Sequence, residues 1–98
     1  MTAKYPVGTK IYNRGDMANP AEWCIVVGFK ADKWGRHYTL AQLPDSDGAF
    51  VGAPFTIEER SISEVDNGNG STRFVTEAAY NTLRAEQIKC LREYVASR

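Results

Sequence analysis

The sequence is poor in the residues that mark metalloproteins, membrane proteins and disulfide-rich domains. Its two cysteines and one histidine cannot complete the usual four-ligand structural zinc site within one chain. No apolar run reaches the length of a membrane span, and the first residues lack the apolar core of a signal peptide. Cys24 and Cys90 show no paired-ligand spacing and suit a reducing compartment as free thiols. We therefore predict a cytoplasmic protein without a metal or a cofactor.

The sequence also lacks an excess of either charge. Twelve basic and twelve acidic residues give a formal net charge of +0, so no global field attracts the chain to nucleic acid or to an anionic membrane. Any contact with nucleic acid must then be local. Hydrophobic residues at 43% and charged residues at 24% are near the average for globular chains. A chain of 98 residues is expected to form one domain, 1–98, around a single core.

The stretch 23–43 is the organising element, because it has the pattern of two strands joined by a tight turn. Asp32 opens and Gly35 closes a type I turn. Apolar residues occupy both faces of the first strand, so we expect this strand to be covered on both sides. Period-two alternation places Trp23, Ile25, Val27 and Phe29 on one face, and Cys24, Val26 and Gly28 on the other.

Three shorter segments complete the predicted β-structure. Residues 9–14 form a first strand with Ile11 inward. Residues 49–57 form a strand in which Pro54 favours an edge position or a bulge, because proline has no backbone donor. Residues 61–65 are compatible with a final strand or with a single 3₁₀ turn. The sequence thus predicts an α+β chain: a five-stranded, strongly bent antiparallel barrel over 5–65, followed by one helix.

A C-terminal amphipathic helix over 76–96 is expected to pack on the barrel after a flexible linker at 66–71. Thr76 is a good N-cap, and Glu77 meets the positive end of the helix. Arg84 and Gln87 interrupt the apolar face. Either they lie at its edge with their heads in water, or the helix is shared with a partner and they lie inside an interface. The apolar face comprises Tyr80, Leu83, Ile88, Cys90, Leu91, Tyr94 and Val95.

The order of these segments resembles that of the small SH3-like barrels, including the Tudor and KOW groups. The segments that carry the likeness are 7–11, 23–29, 38–40, 55–57 and 61–65. Because such barrels mostly bind proteins, methylated side chains or nucleic acids, the resemblance implies a binding module rather than an enzyme.

Two further stretches, 13–20 and 72–80, are similar to segments of small uncharacterised proteins that plasmids, phages and integron gene cassettes encode. This resemblance implies an accessory protein of mobile DNA. It brings no catalytic residues to carry over.

A basic turn at 30–37 is the strongest local feature. A basic loop with an aromatic tip can pair with phosphates while its ring stacks on a base. The alternative is a solvated turn whose Trp34 folds back onto the barrel, which the neutral net charge favours. Asp32 is the only acid among these positions, and the candidate binding residues are Lys30, Lys33, Trp34, Arg36 and His37.

An aromatic cage for a cationic side chain is a third possibility, because ring faces attract alkylammonium groups. It would be built from Tyr12, Trp23, Trp34 and Tyr38. Core packing of these rings is the favoured interpretation, because small barrels fill with aromatic side chains.

No convergent polar cluster indicates catalysis, so the sequence predicts a non-enzymatic module without catalytic residues. It is expected to bind a protein partner, or alternatively nucleic acid through the basic turn. A homodimer is also compatible with an edge strand containing Phe50 and Val51 and with the wide apolar face of the helix.

Overall fold

The computed structural model describes residues 3–15, 21–43 and 53–97. The predicted loop at 44–48 and the predicted edge residues Phe50 and Val51 lie outside these ranges. The elements are β1 Lys10–Asn13, β2 Glu22–Asp32, β3 Gly35–Gln42, β4 Phe55–Glu58, a 3₁₀ turn Glu59–Ser61, β5 Ile62–Ser63, β6 Phe74–Thr76 and α1 Glu77–Ala96. The prediction of a mainly β chain with one C-terminal helix is confirmed.

A single curled sheet holds the six described strands, in the spatial order β4-β3-β2-β1-β6-β5. Neighbouring strands are antiparallel except β5 and β6, which run parallel. The prediction of five strands closed into a barrel is corrected, because the sheet forms a half-barrel and Phe74–Thr76 adds a strand beside β1. A strand of three residues directly before a helix is too short to show period-two alternation.

A β-bulge at Val27 decides which residues of β2 share a face. Val26 lies opposite Leu40 and Gly28 lies opposite Thr39, so Val27 has no partner on β3. An extra residue reverses the alternation beyond it. The prediction that Trp23, Ile25, Val27 and Phe29 share one face is therefore wrong, because the core side takes Cys24 and Val26 before the bulge and Phe29 after it.

The concave face of the sheet carries the main core. The side chain of Tyr38 is the largest that is fully buried. The ring of Phe55 on β4 lies 6.1 Å from that of Phe74 on β6, measured between centroids, so the curl brings the two ends of the sheet together. The core comprises Tyr5, Ile11, Cys24, Val26, Tyr38, Leu40, Ile62 and Phe74, with Ala3, Phe29, Phe55 and Ile57 packed against it.

A second, smaller apolar layer lies on the outer face, under the start of α1. Tyr12 pairs with Trp23 on one side and with Val75 on the other, which places these three side chains together. Tyr80 of α1 packs on them, with ring centroids 4.6 Å from Tyr12 and 4.9 Å from Trp23. Val75 is fully buried beneath this contact.

Helix α1 begins as predicted. The Thr76 hydroxyl accepts a hydrogen bond from the Ala79 amide at 3.2 Å, which satisfies one of the free donors of the first turn. Only the first two turns are covered, however, because every residue from 84 to 97 is exposed. The expectation of a helix packed on the barrel along its length is thus corrected.

The lengths of the elements explain why the coverage stops. A helix of 20 residues is about 30 Å long. The strands beneath it, β1 and β6, have 4 and 3 residues and span about 10–14 Å each. The helix therefore extends beyond the sheet, and the longest dimension of the molecule is 56 Å. Over the residues described, no helix is both long and apolar enough to span a membrane.

The segment between β5 and β6, predicted to be a linker, is held by hydrogen bonds. The carboxylate of Asp66, whose side chain is almost fully buried, pairs with Arg14 at the end of β1. It also accepts a hydrogen bond from the Gly68 amide at 2.8 Å. The backbone amide of Arg14 donates to the Arg73 carbonyl at 2.7 Å. These contacts attach the segment to the end of β1 and lead the chain into β6.

Candidate functional site

The hairpin between β2 and β3 presents the basic turn as an ordered, projecting structure. The Asp32 carboxylate accepts a hydrogen bond from the backbone amide of Trp34 at 2.8 Å, and Gly35 adopts a φ of 120°, which side chains rarely allow. This local geometry places Trp34 at the tip, where it is 76% exposed. Trp34 does not fold back onto the sheet, and the Lys33 ammonium lies 5.0 Å from its ring centroid.

The other basic residues of the turn face acids. The Lys30 ammonium lies 3.6 Å from the Asp32 carboxylate. Arg36 turns toward the core side, where its Nε donates to the Glu59 carboxylate at 3.0 Å and its guanidinium lies over the Phe29 ring at 4.9 Å. His37 is opposite Lys30 on one side and Glu58 on the other.

These residues border an open groove of about 450 Å³ between the hairpin and the 3₁₀ turn. Three ion pairs lie around the hairpin and this groove. Lys30 lies near Asp32, Arg36 pairs with Glu59, and Arg60 pairs with Glu58. Most of the positive charge that the sequence places in the turn is therefore locally neutralised. The groove is lined by Trp34, Gly35, Arg36, His37, Glu58, Glu59 and Arg60.

Glu59 is the residue of this region that sequence reasoning missed. Its carboxylate accepts a hydrogen bond from the buried Tyr38 hydroxyl at 2.7 Å, and this bond, together with Arg36, lowers the pKa of Glu59 below its ordinary value. The same hydroxyl accepts hydrogen bonds from the backbone amides of Lys4 and Tyr5 at 3.0 and 3.1 Å. The cluster joins the N-terminal segment, β3 and the 3₁₀ turn.

The four residues considered for an aromatic cage do not come together at one place. Tyr38 is fully buried beside Tyr5 and Phe29, and Trp34 projects from the hairpin. Tyr12 and Trp23 do meet, but their ring centroids are 5.1 Å apart and Tyr80 packs against both. Rings in direct contact leave no space between them for an alkylammonium group.

Helix residues 84–96, called the distal half of α1 from here on, form a second candidate surface. Arg84 and Gln87, proposed from the sequence as interface residues, are both exposed on it. The guanidinium of Arg84 lies 5.3 Å from the centroid of the Tyr80 ring. The two residues therefore lie in the first turn after the covered part of α1, on the side of the helix that faces the sheet.

Large apolar side chains on the same side of the distal half are exposed. They recur three and four residues apart, which places them on one face of a helix. Sequence reasoning assigned them to the core, and no signal in the sequence distinguishes them from buried residues. We call them the apolar stripe: Ile88, Leu91, Tyr94 and Val95, which are 49%, 63%, 55% and 63% exposed.

The two thiols differ in environment. Burial, with a contribution from the nearby Glu22 carboxylate, raises the pKa of Cys24 to about 12, so this thiol stays protonated at neutral pH. Cys90 is exposed on the distal half of α1. In the part of the chain that the structure describes, no group of three or more His, Cys, Asp or Glu side chains is arranged to hold a metal ion.

No family model, curated protein or solved structure matches this chain.

Proposed function

We propose that this chain is a non-enzymatic protein-binding module whose binding surface is the distal half of α1. The observation that carries the proposal is the apolar stripe, in which Ile88, Leu91 and Val95 are spaced i, i+3 and i+7 on an exposed face. This spacing is the one that helices use to occupy an apolar groove of a partner. Contiguous exposed apolar surface of this kind marks interaction sites in monomers.

The stability of the helix supports the same proposal. The distal half is a stretch of about 13 residues, and unsupported helices of that length are only marginally stable in water. A partner that covers the apolar stripe would stabilise the helical conformation of the distal half. Arg84 and Gln87 lie between the covered turns and the stripe, where polar side chains suit the rim of an interface.

The strand order supports the proposed kinship with SH3-like barrels. In sequence the first four strands follow one another across the sheet, and a last strand returns to pair with β1. The 3₁₀ turn Glu59–Ser61 joins the two edge strands, β4 and β5. We infer a half-barrel relative of that group, which binds rather than catalyses.

We also infer that the chain is an accessory protein of mobile DNA that acts in the cytoplasm. The two stretches that suggested this origin, 13–20 and 72–80, meet in space where they are described. Asn13 pairs with Phe74 at the β1–β6 contact, and its side-chain oxygen accepts a hydrogen bond from Arg73 at 3.3 Å.

The test is capture of partner proteins from a bacterial lysate by the immobilised chain and two variants. Ile88→Glu with Leu91→Glu is expected to abolish capture of any specific protein, because both substitutions place charge in the stripe. Lys89→Glu, on the opposite side of the same helix, should leave capture unchanged. Circular dichroism should show the same helical content in all three proteins. A captured protein that both variants retain would disprove this binding surface.

Nucleic-acid binding through the hairpin is the second candidate function, favoured by the exposure of Trp34 at the tip beside Lys33. The low-salt affinity of labelled single- and double-stranded DNA and RNA tests it. Binding should fall as salt rises and should be lost in Lys33→Glu with Trp34→Ala. Arg36 is left intact because it pairs with Glu59. Absence of binding by the wild type at low salt would remove this candidate.

A further inference from the structure

We infer that the partner of the apolar stripe is a second copy of this chain, which lies antiparallel to the first along the distal half of α1. The inference rests on the proposed protein-binding function and identifies the protein that covers the apolar stripe. Two copies would bury their stripes against each other, so that neither Leu91 nor Val95 remains in water.

The position of the sheet sets the direction of the pair. Tyr80 and the stripe lie on the same side of α1, and the sheet of the same chain already occupies that side over residues 77–83. A parallel second helix would extend into the space of this sheet. An antiparallel helix meets only the exposed residues, and its own sheet lies beyond the end of the first helix.

The overlap is matched in length. When the two exposed segments, 84–96, cover each other fully, residue 84 of one copy lies opposite residue 96 of the other, and Cys90 lies near the midpoint.

The charges at the ends of the helix favour the same arrangement. The last turn of α1 contains no basic residue among those described, although cations stabilise the negative end of a helix dipole. In the antiparallel pair Arg84 of the second copy lies at this end. In a parallel pair the two Arg84 side chains would instead lie opposite each other, which like charge disfavours.

The size of the contact predicts a weak dimer. Each copy contributes one face of a helix segment about 20 Å long, and the area of that face is smaller than the roughly 800 Å² per partner of a standard interface. We therefore expect reversible association that depends on concentration, rather than an obligate dimer.

Sedimentation velocity over about 5–500 µM, a range suited to micromolar dissociation constants, tests the inference on three proteins. The wild type is expected to shift from the monomer mass of 10.9 kDa toward twice that value. Lys89→Glu should do the same, since Lys89 lies away from the stripe. Leu91→Glu should raise the dissociation constant at least tenfold while its circular dichroism stays unchanged.

Thiol cross-linking tests the direction of the pair. In a Cys90→Ser background, Arg84→Cys and Val95→Cys proteins, both changed on the stripe side of the helix, are treated with a short bismaleimide, alone and mixed. The antiparallel pair predicts a cross-linked dimer only in the mixture. Cross-linking of either protein alone, at the yield of the mixture, would show a parallel pair and overturn the inference.

The remaining outcomes separate this inference from the proposed function. A wild type that stays monomeric across the range disproves the second copy. If the Ile88→Glu and Leu91→Glu substitutions still abolish lysate capture, protein binding through the stripe survives with another partner. A dimer that Leu91→Glu leaves unchanged uses a different surface, and it also overturns the inference.

Discussion

The two halves of α1 have the same apolar side but differ in what covers it. In residues 77–83, Ala79 is buried and Tyr80 packs on two rings of the sheet. In residues 84–96, Leu91 and Val95 are exposed. The periodicity of a helix thus identifies its apolar side, whereas the extent of the neighbouring strands decides how much of that side enters the core. Here the sheet ends before the helix does.

The contacts of the first half of α1 are expected to stabilise the fold, whereas the exposed second half is expected to serve association. Tyr80→Ala should lower the free energy of unfolding by about 2–3 kcal/mol, because it removes ring contacts with Tyr12 and Trp23 and leaves a cavity over Val75. Urea unfolding of dilute protein measures the change. If the loss is below about 0.5 kcal/mol, the covered half is not anchored as described.

A second prediction concerns the interior that the first half of α1 does not touch. Glu59→Gln should cost about 1.5–3 kcal/mol, because it weakens hydrogen bonds from Tyr38 and Arg36 to a charged acceptor. Thermal unfolding at neutral pH measures the loss, with Glu58→Gln as the control, since the Glu58 side chain pairs only with the exposed Arg60 among the contacts described. Equal losses in the two variants would contradict the role of Glu59.

The same carboxylate predicts a dependence on pH. The pKa of Glu59 is lowered in the folded chain. Its contribution to the free energy of unfolding is therefore complete above the ordinary carboxyl pKa, and it is lost as the pH falls through the lower pKa of the folded chain. The wild type should therefore lose stability on acidification more steeply than Glu59→Gln below about pH 4.3. Parallel acid profiles would count against the cluster.

A smaller effect is expected where α1 begins. Thr76→Ala should cost about 1 kcal/mol, because it removes the hydroxyl that caps the Ala79 amide. Thr82→Ala is the matched control. Its hydroxyl donates to the Ala78 carbonyl of the same helix, a local bond whose loss should change the free energy of unfolding very little. Equilibrium denaturation that fails to separate the two variants would show that the cap is unimportant.

The smallest effect is expected on the exposed, distal half of α1. Leu91→Ala should change the unfolding free energy of dilute monomer by no more than about 0.5 kcal/mol, although the same substitution at a buried leucine such as Leu40 costs about 2–5 kcal/mol. Chemical denaturation at low micromolar concentration measures both variants. A large loss in Leu91→Ala would mean that the distal half is part of the folded core.

Much of this architecture is predictable from local signals. The sequence predicts the helix from Thr76 onward because an N-cap and a run of helix formers act within a few residues. It predicts the hairpin because Asp32 and Gly35 mark a turn between two segments with strand patterns. By contrast, β6 depends on pairing with β1, which lies about sixty residues earlier in the chain and leaves no local pattern in Phe74–Thr76.

The residues of the two candidate surfaces are predictable from the sequence, but their ion pairing and their exposure are not. The sequence places Lys30, Lys33, Arg36 and His37 around one turn, and the fold then brings Glu58 and Glu59 beside them. The acids come from β4 and the 3₁₀ turn, so their effect is set by tertiary pairing. Similarly, the sequence around Leu91 would be the same whether this side chain were buried or exposed. Only the length of the neighbouring sheet decides which of the two occurs.

The bulge at Val27 has a consequence for the evolution of β2. It shifts the phase of the strand, so that Trp23 contributes to the outer layer while Phe29 contributes to the core. Six residues of regular strand would place both aromatic side chains on the same face. Deletion of residue 27 would therefore remove the bulge and leave both rings on the faces they occupy now. A strand that kept residue 27 but paired regularly with β3 would lose one of the two contacts.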